Sequence, residues 1–281
     1  MERLEAHRRF YAELITTSAG AEKNERLREA FAATPRERFV GPGPWKLFAG
    51  GHHVETPNDD PAFLYQDVVV ALAPERGINN GQPVLHAINL AALDVKCGEA
   101  VLHVGAGTGY YTAVLARLTG ESGAVVAYEI EHDLAERAKQ NLSDLSNVTV
   151  QERPGSAAPL PACDVIYVNA GATAPLKVWL AALRLNGRLL FPLTPADGPG
   201  GMPGAGAMLL ITRADAGRFD ARFVCPAMFV PCFGARDEET ARKLSAAFKR
   251  GELQSVKSLR RDSQPDDSCW FAGDGWWLSK A

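Results

Sequence analysis

The chain predicts an α/β fold with a mostly parallel sheet covered by helices on both faces. Two observations predict it. Over residues 83–194, apolar runs alternate with helix-period segments, the pattern of strands joined by crossover helices. One of those runs, Val101-Leu-His-Val, ends in Gly105-Ala-Gly-Thr-Gly109, and the next apolar run closes on Glu129. A strand, a glycine turn, a helix and a second strand ending in a carboxylate form a unit suited to a nucleoside, with the ligand crevice beyond the carboxyl ends of the strands.

Each element follows from local pattern. Residues 1–34 read as two helices, one marked by Leu4, Phe10, Tyr11, Leu14 and Ile15, the other by Leu27, Ala30 and Phe31. Pro35 stops the second. Residues 36–82 are rich in Gly, Pro and Asn and read as an irregular segment too long for an ordinary loop. Pro83 suits the first position of a helix running to Leu93. Strands are expected near 101–105, 124–129, 147–151, 164–168 and 187–193, with helices near 110–119, 133–143 and 175–185.

Residues 195–206 cannot hold regular structure and read as a mobile loop. An antiparallel hairpin over 207–212 and 219–230 and a helix over 238–249 follow. A short hairpin turns at Gly273-Asp-Gly275, and its tryptophans pack on the core or form part of a lid. The expected organisation is 1–82 as N-terminal helices and substrate-side loop, 83–234 as the nucleoside-binding core, and 235–281 as an extension.

Composition narrows the class. The 281 residues are 46% hydrophobic and carry a net charge of −3, which gives no electrostatic case for nucleic acid. No apolar run approaches the roughly 18 residues of a membrane span. The first residues lack a signal peptide's apolar region, so a cytoplasmic protein is expected. Five scattered cysteines form no C-x-x-C pair and read as reduced, mostly buried thiols. His52 and His53 face opposite sides of any strand, and no metal is expected.

The glycine spacing selects the nucleoside. A dinucleotide turn needs G-x-G-x-x-G. Here Gly105, Gly107 and Gly109 give G-x-G-x-G and Tyr110 follows, the pattern of S-adenosylmethionine (AdoMet) methyltransferases, which cradle no pyrophosphate. The expected cofactor-binding residues are His103, Gly105, Ala106, Gly107, Thr108, Gly109, Tyr110, Glu129 and Ile130, with Gln82 from the preceding segment. Glu129 sits where it can accept from both ribose hydroxyls.

Seven segments, in order, resemble the protein-L-isoaspartate O-methyltransferase family over residues 20–234. They are 26–40, with its Pro35-Arg-Glu-Arg-Phe-Val40 ending; Tyr65-Gln-Asp67; 77–83, ending in Gln82-Pro83; 101–111; 164–175; 183–193; and Phe229-Val-Pro231. The resemblance implies a Rossmann-like class I fold and AdoMet-dependent methyl transfer to a carboxylate, most naturally an isoaspartyl or aspartyl residue of a peptide or protein. The sulfonium is already activated, so proximity, alignment and exclusion of water dominate over acid–base help. On this resemblance the acceptor side comprises Asp67, Asn79, Asn80 and Gly81.

Three departures from the family pattern stand out. Asn79-Asn-Gly-Gln-Pro83 replaces Thr-Ile-Ser-Gln-Pro, so Gly81 occupies the serine position. Arg153-Pro-Gly155 replaces Gly-Asp-Gly, leaving Glu152 as a candidate adenine acceptor. Residues 235–281 have no counterpart. Two alternatives follow: a divergent methyltransferase for a dedicated peptide or small molecule, and a non-catalytic AdoMet-binding module. If the serine hydroxyl is the missing part, restoring serine at Gly81 raises isoaspartyl activity.

Overall fold

The computed structural model describes residues 2–197, 204–261 and 264–281. In chain order the first elements are α1 (Glu2–Ser18), α2 (Glu25–Ala32), α3 (Glu37–Val40), β1 (Lys46–Ala49), β2 (His52–Glu55), β3 (Val69–Ala73) and β4 (Ile78–Asn79). Then come α4 (Pro83–Leu93), β5 (Ala100–Val104), α5 (Tyr110–Thr119), β6 (Ala124–Glu129), α6 (His132–Asn141) and β7 (Val148–Glu152). The remainder is β8 (Cys163–Val168), α7 (Lys177–Ala182), β9 (Leu183–Leu193), β10 (Gly206–Arg213), β11 (Phe219–Ala227), α8 (Glu238–Arg250), β12 (Ser258–Arg260), β13 (Cys269–Gly273) and β14 (Trp276–Ser279). The chain divides into two compact units, residues 1–99 with 106–152 and residues 100–105 with 153–281.

In the first unit, α1 buries Tyr11, Ala12, Ile15 and Thr16, while Phe10 is 68% and Leu14 41% exposed. The expected apolar face is therefore rotated: positions 11, 12, 15 and 16 share one side of a 3.6-residue helix, and 10 and 14 flank it. Asn24 caps α2, its side chain accepting from Leu27 N–H at 3.0 Å. The segment 36–82, expected to be irregular, contains the four-stranded antiparallel sheet β2-β1-β3-β4. Its strands are two to five residues long and β2 is exposed throughout, so no inside–outside alternation marks it. Val40, Trp45, Leu64 and Val70 form the core beneath.

Arg36 organises this region. It is fully buried. Its guanidinium donates to the carbonyl oxygens of Leu64, Gln66 (3.0 Å) and Val68 (2.8 Å), and lies 5.6 and 5.9 Å from the ring centres of Tyr11 and Tyr110. Only a planar fork of donors reaches three carbonyls that diverge along one loop. Helices α4 and α5 and strand β6 lie where the pattern places them; β6 and β7 pair in parallel from Val125 against Val148 to Glu129 against Glu152.

The second unit holds the parallel strands β5, β8 and β9, joined on the β9 side by antiparallel β10 and β11. Helix α7 ends at Ala182 and β9 begins at once, four residues before the expected 187; Arg213 donates to the Leu183 carbonyl and draws the strand start forward. Part of the expected loop over 195–206 lies outside the described residues. The extension continues the sheet in the order β11-β12-β14-β13. Trp270 packs edge-on against Phe223 (5.2 Å) and Phe248 (5.7 Å), and Trp276 and Trp277 are also buried, as the packed alternative expects. None of the five cysteines forms a disulfide, but only Cys163 and Cys232 are buried, fewer than expected.

His103, on β5, is completely buried and stacked on Tyr167. Burial pushes its pKa from the ordinary 6.5 down to about 3.

Two expectations follow. Arg36→Lys loses about 2–3 kcal/mol of unfolding free energy in urea titrations, because one ammonium cannot satisfy the three carbonyls; an unchanged midpoint refutes the anchor role. His103 makes stability pH-dependent. The unfolded chain binds its proton below about 6.5 and the folded chain only near 3, so stability is intact above 6.5 and falls as pH drops between the two. The slope difference from His103→Gln over that window is about 1.4 kcal/mol per pH unit, and parallel curves would contradict it.

Candidate active site

The glycine turn leaves β5 at Gly105 and enters α5 after Gly109. Gly105, Gly107 and Gly109 have φ of +75°, +57° and +97°, a region costly for a side chain. A Cβ at Gly107 would meet only Leu72 Cδ1, at 3.8 Å, so the glycine serves the backbone conformation and leaves the approach to the loop open.

Glu129, at the end of β6, is buried. Its Oε2 accepts from Gly107 N–H at 2.6 Å, and its Oε1 accepts from the N–H groups of Ile130 (2.8 Å) and Glu131 (3.0 Å). Burial raises the carboxyl above its ordinary pKa, and the three N–H groups pull it back. A carboxylate has roughly four acceptor positions, so Oε2 keeps one for a hydroxyl group while the rest shape the loop. This chemistry fits the ribose of AdoMet, with a single hydroxyl met directly.

The other expected cofactor residues divide by environment. Thr108 is 2% exposed and its carbonyl accepts from Asn141 Nδ2 at 3.0 Å. Tyr110 turns its ring toward Phe39 (5.5 Å between centres) and its hydroxyl toward that of Tyr11 (3.4 Å), which leaves its backbone to line the turn. Ala106 N–H donates to Tyr128 O, tying the turn to β6. Ile130 is 41% exposed. In the second unit, Nε2 of His103 lies 2.8 Å from Asn169 Nδ2, so His103 supports the end of β8 from within the core.

The acceptor-side residues form one braced loop in the first unit. Asp67 accepts from Gln82 Nε2 and from Val84 N–H, both at 2.8 Å, and so ties down the start of α4. Asn79 Oδ1 accepts from Gly81 N–H at 2.9 Å. Asn80 is buried and its Oδ1 accepts from Val70 N–H at 2.8 Å, which fixes the amide orientation. Its Nδ2 is buried without a hydrogen-bond partner. Gly81 has φ +74°, and a Cβ there would fall 2.2 Å from His86 Nε2. A side chain at position 81 collides with His86 as it stands, so a serine there requires the imidazole or the loop to shift. His86, Arg36 and Asn169 went unassigned in the sequence because their roles rest on contacts at long range.

Glu152 is committed to His132, at 2.8 Å from Nδ1. His132, Glu136 and Glu152 are close enough for a metal, but Glu136 also pairs with Lys139 at 2.6 Å, and ion pairing accounts for the group.

The protein-L-isoaspartate(D-aspartate) O-methyltransferase family profile matches residues 11–237. A protein-L-isoaspartate O-methyltransferase of Brucella anthropi is 32% identical over 219 residues, covering 74% of this chain and 86% of that protein. One from Methylorubrum extorquens is 33% identical over 210 residues, covering 72% and 78%. A solved protein-L-isoaspartate O-methyltransferase shares the fold with a TM-score of 0.63 at 23% identity, over 85% of this chain and 69% of that one. A Plasmodium falciparum structure described as a beta-aspartate methyltransferase in complex with S-adenosyl-L-homocysteine gives 0.62 at 18% identity, over 80% and 97%. With a profile match over most of its length, the chain belongs to the protein-L-isoaspartate(D-aspartate) O-methyltransferase family.

Proposed function

We propose that the protein transfers the methyl group of AdoMet to a carboxylate of a peptide or protein, with isoaspartyl and aspartyl residues as the acceptor class. The observation that carries this reading is the buried Glu129 carboxylate fastened to the glycine turn, in a chain of this family. AdoMet, when bound, supplies a methyl group already activated by its sulfonium.

The chain's own residues bind and position. Glu129 holds a ribose hydroxyl through the free position on Oε2, and the turn from Gly105 to Tyr110 lets backbone approach the ligand. Ile130 and Gln82 border that site. On the acceptor side, Asn80 Nδ2 is a donor in want of an acceptor. Leaving it unpaired costs about 1–3 kcal/mol, which a bound carboxylate oxygen would recover. Asp67 acts as a brace for Gln82 and α4, with both carboxylate oxygens engaged in holding the loop rather than in taking a proton. An acceptor carboxylate is already ionised at neutral pH and has no proton to give up, so the chain needs no general base.

The altered loop favours one second reading, a dedicated acceptor other than the isoaspartyl peptide, because Gly81 carries no hydroxyl and cannot gain one without displacing His86.

Methyl transfer from radiolabelled AdoMet to an isoaspartyl peptide, its aspartyl twin and a cell extract separates the readings. Base-labile label on either peptide is the expected result; label confined to the extract moves the assignment to a dedicated acceptor, and none anywhere refutes transfer. Glu129→Ala is expected to weaken AdoMet binding by about 1.5–3 kcal/mol in calorimetry, and unchanged affinity would remove Glu129 from the site.

A further inference from the structure

Gly81 and His86 are built around each other. A Cβ on Gly81 would lie 2.2 Å from His86 Nε2, 2.9 Å from Cδ2 and 3.3 Å from Cε1. The imidazole cannot easily yield. It is 2% exposed and stacked face to face on Tyr111, with ring centres 3.5 Å apart and planes at 10°. The Tyr111 hydroxyl in turn points at the Gly81 carbonyl, 3.4 Å away. Tyr111 is the second residue of α5, immediately after the glycine turn. The stack therefore joins the 79–83 loop to the end of the turn expected to hold the cofactor. Asn80, with its unpaired Nδ2, immediately precedes Gly81 in the same loop.

We propose that Gly81 and His86 form an interlocked specificity pair, in which the His86 imidazole occupies the side-chain position of residue 81 and supplies the polar atom there. Helix α4, rather than the loop, then decides which carboxylate is accepted. An imidazole nitrogen is bulkier than a hydroxyl and fixed by its stack, so it discriminates by shape as well as by hydrogen bonding between the α-linked side chain of an aspartyl residue and the backbone-inserted carbon of an isoaspartyl one. This inference rests on the carboxyl methyltransferase reading proposed above.

The test is a cycle of four full-length proteins: wild type, Gly81→Ser, His86→Ala and the double variant. Melting temperature reads the interlock without reference to activity. Gly81→Ser alone is expected to lower Tm by about 4 °C or more, and clearly less when His86 is already alanine. Equal losses in both backgrounds overturn the interlock.

Initial rates on isoaspartyl and aspartyl peptides read the specificity. His86→Ala is expected to change the ratio of kcat/KM for the two peptides about tenfold, chiefly through KM, with AdoMet affinity held within about twofold. The double variant is expected to shift the ratio toward the isoaspartyl peptide. An unchanged ratio in His86→Ala, with Tm lowered, leaves His86 purely structural and overturns the proposal. A wild type that binds AdoMet yet methylates neither peptide overturns the acceptor reading and the specificity role with it, while the melting cycle still judges the interlock.

Discussion

A buried guanidinium with no carboxylate partner at hydrogen-bonding distance among the described residues holds the first unit together. Arg36 spends its donors on the carbonyls of residues 64, 66 and 68, and its charge lies near the faces of Tyr11 and Tyr110. Burying such a charge is costly unless its hydrogen bonds are supplied, and here a loop supplies them to both terminal nitrogens, while Nε is buried without a partner. The loop thereby acquires a fixed path. Asp67 stands on that path and reaches Gln82 and Val84, so the start of α4 inherits its position from Arg36. Tyr110 carries the same constraint to α5 and the glycine turn. One side chain thus constrains both the start of α4 and the start of α5.

Much of this was legible in the sequence, for identifiable reasons. Strand β6 and helices α4 and α5 follow from local signals: an apolar run ending in a carboxylate, Pro83 at a first helical turn, and glycines before Tyr110. These signals act within a few residues. The four-stranded sheet over β1 to β4 was not legible, because its exposed short strands lack periodicity and find their stability in Trp45, Leu64 and Val70 from separate stretches. The tilt of α1 was missed for a related reason: Phe10 and Tyr11 are equally aromatic, and only tertiary packing decides which is buried.

At the site, the glycine turn and Glu129 follow from the sequence more directly than the contacts of the 79–83 loop. Glycine spacing and a terminal glutamate are dictated by backbone geometry, which sequence encodes directly. The acceptor loop depends on what stands opposite it. Gly81 looked like a lost serine, and only His86 explains it as an accommodation. Asn79 and Asn80, similar in sequence, have divergent fates: one closes a turn on Gly81, the other is buried with a free donor.

The extension imposes a temporal order on the molecule. Strand β14 lies between β12 and β13, although it follows both in the chain. Among the described residues, until it emerges, β12 has only Phe219 and Asp220 of β11 to pair with, and β13 has no strand partner. The family-matched residues can begin folding during synthesis, as domains generally do. The eleven-residue span from Cys269 to Ser279 instead waits for β14 to be synthesised, and Ser279, completely buried, becomes a keystone set after the strands beside it.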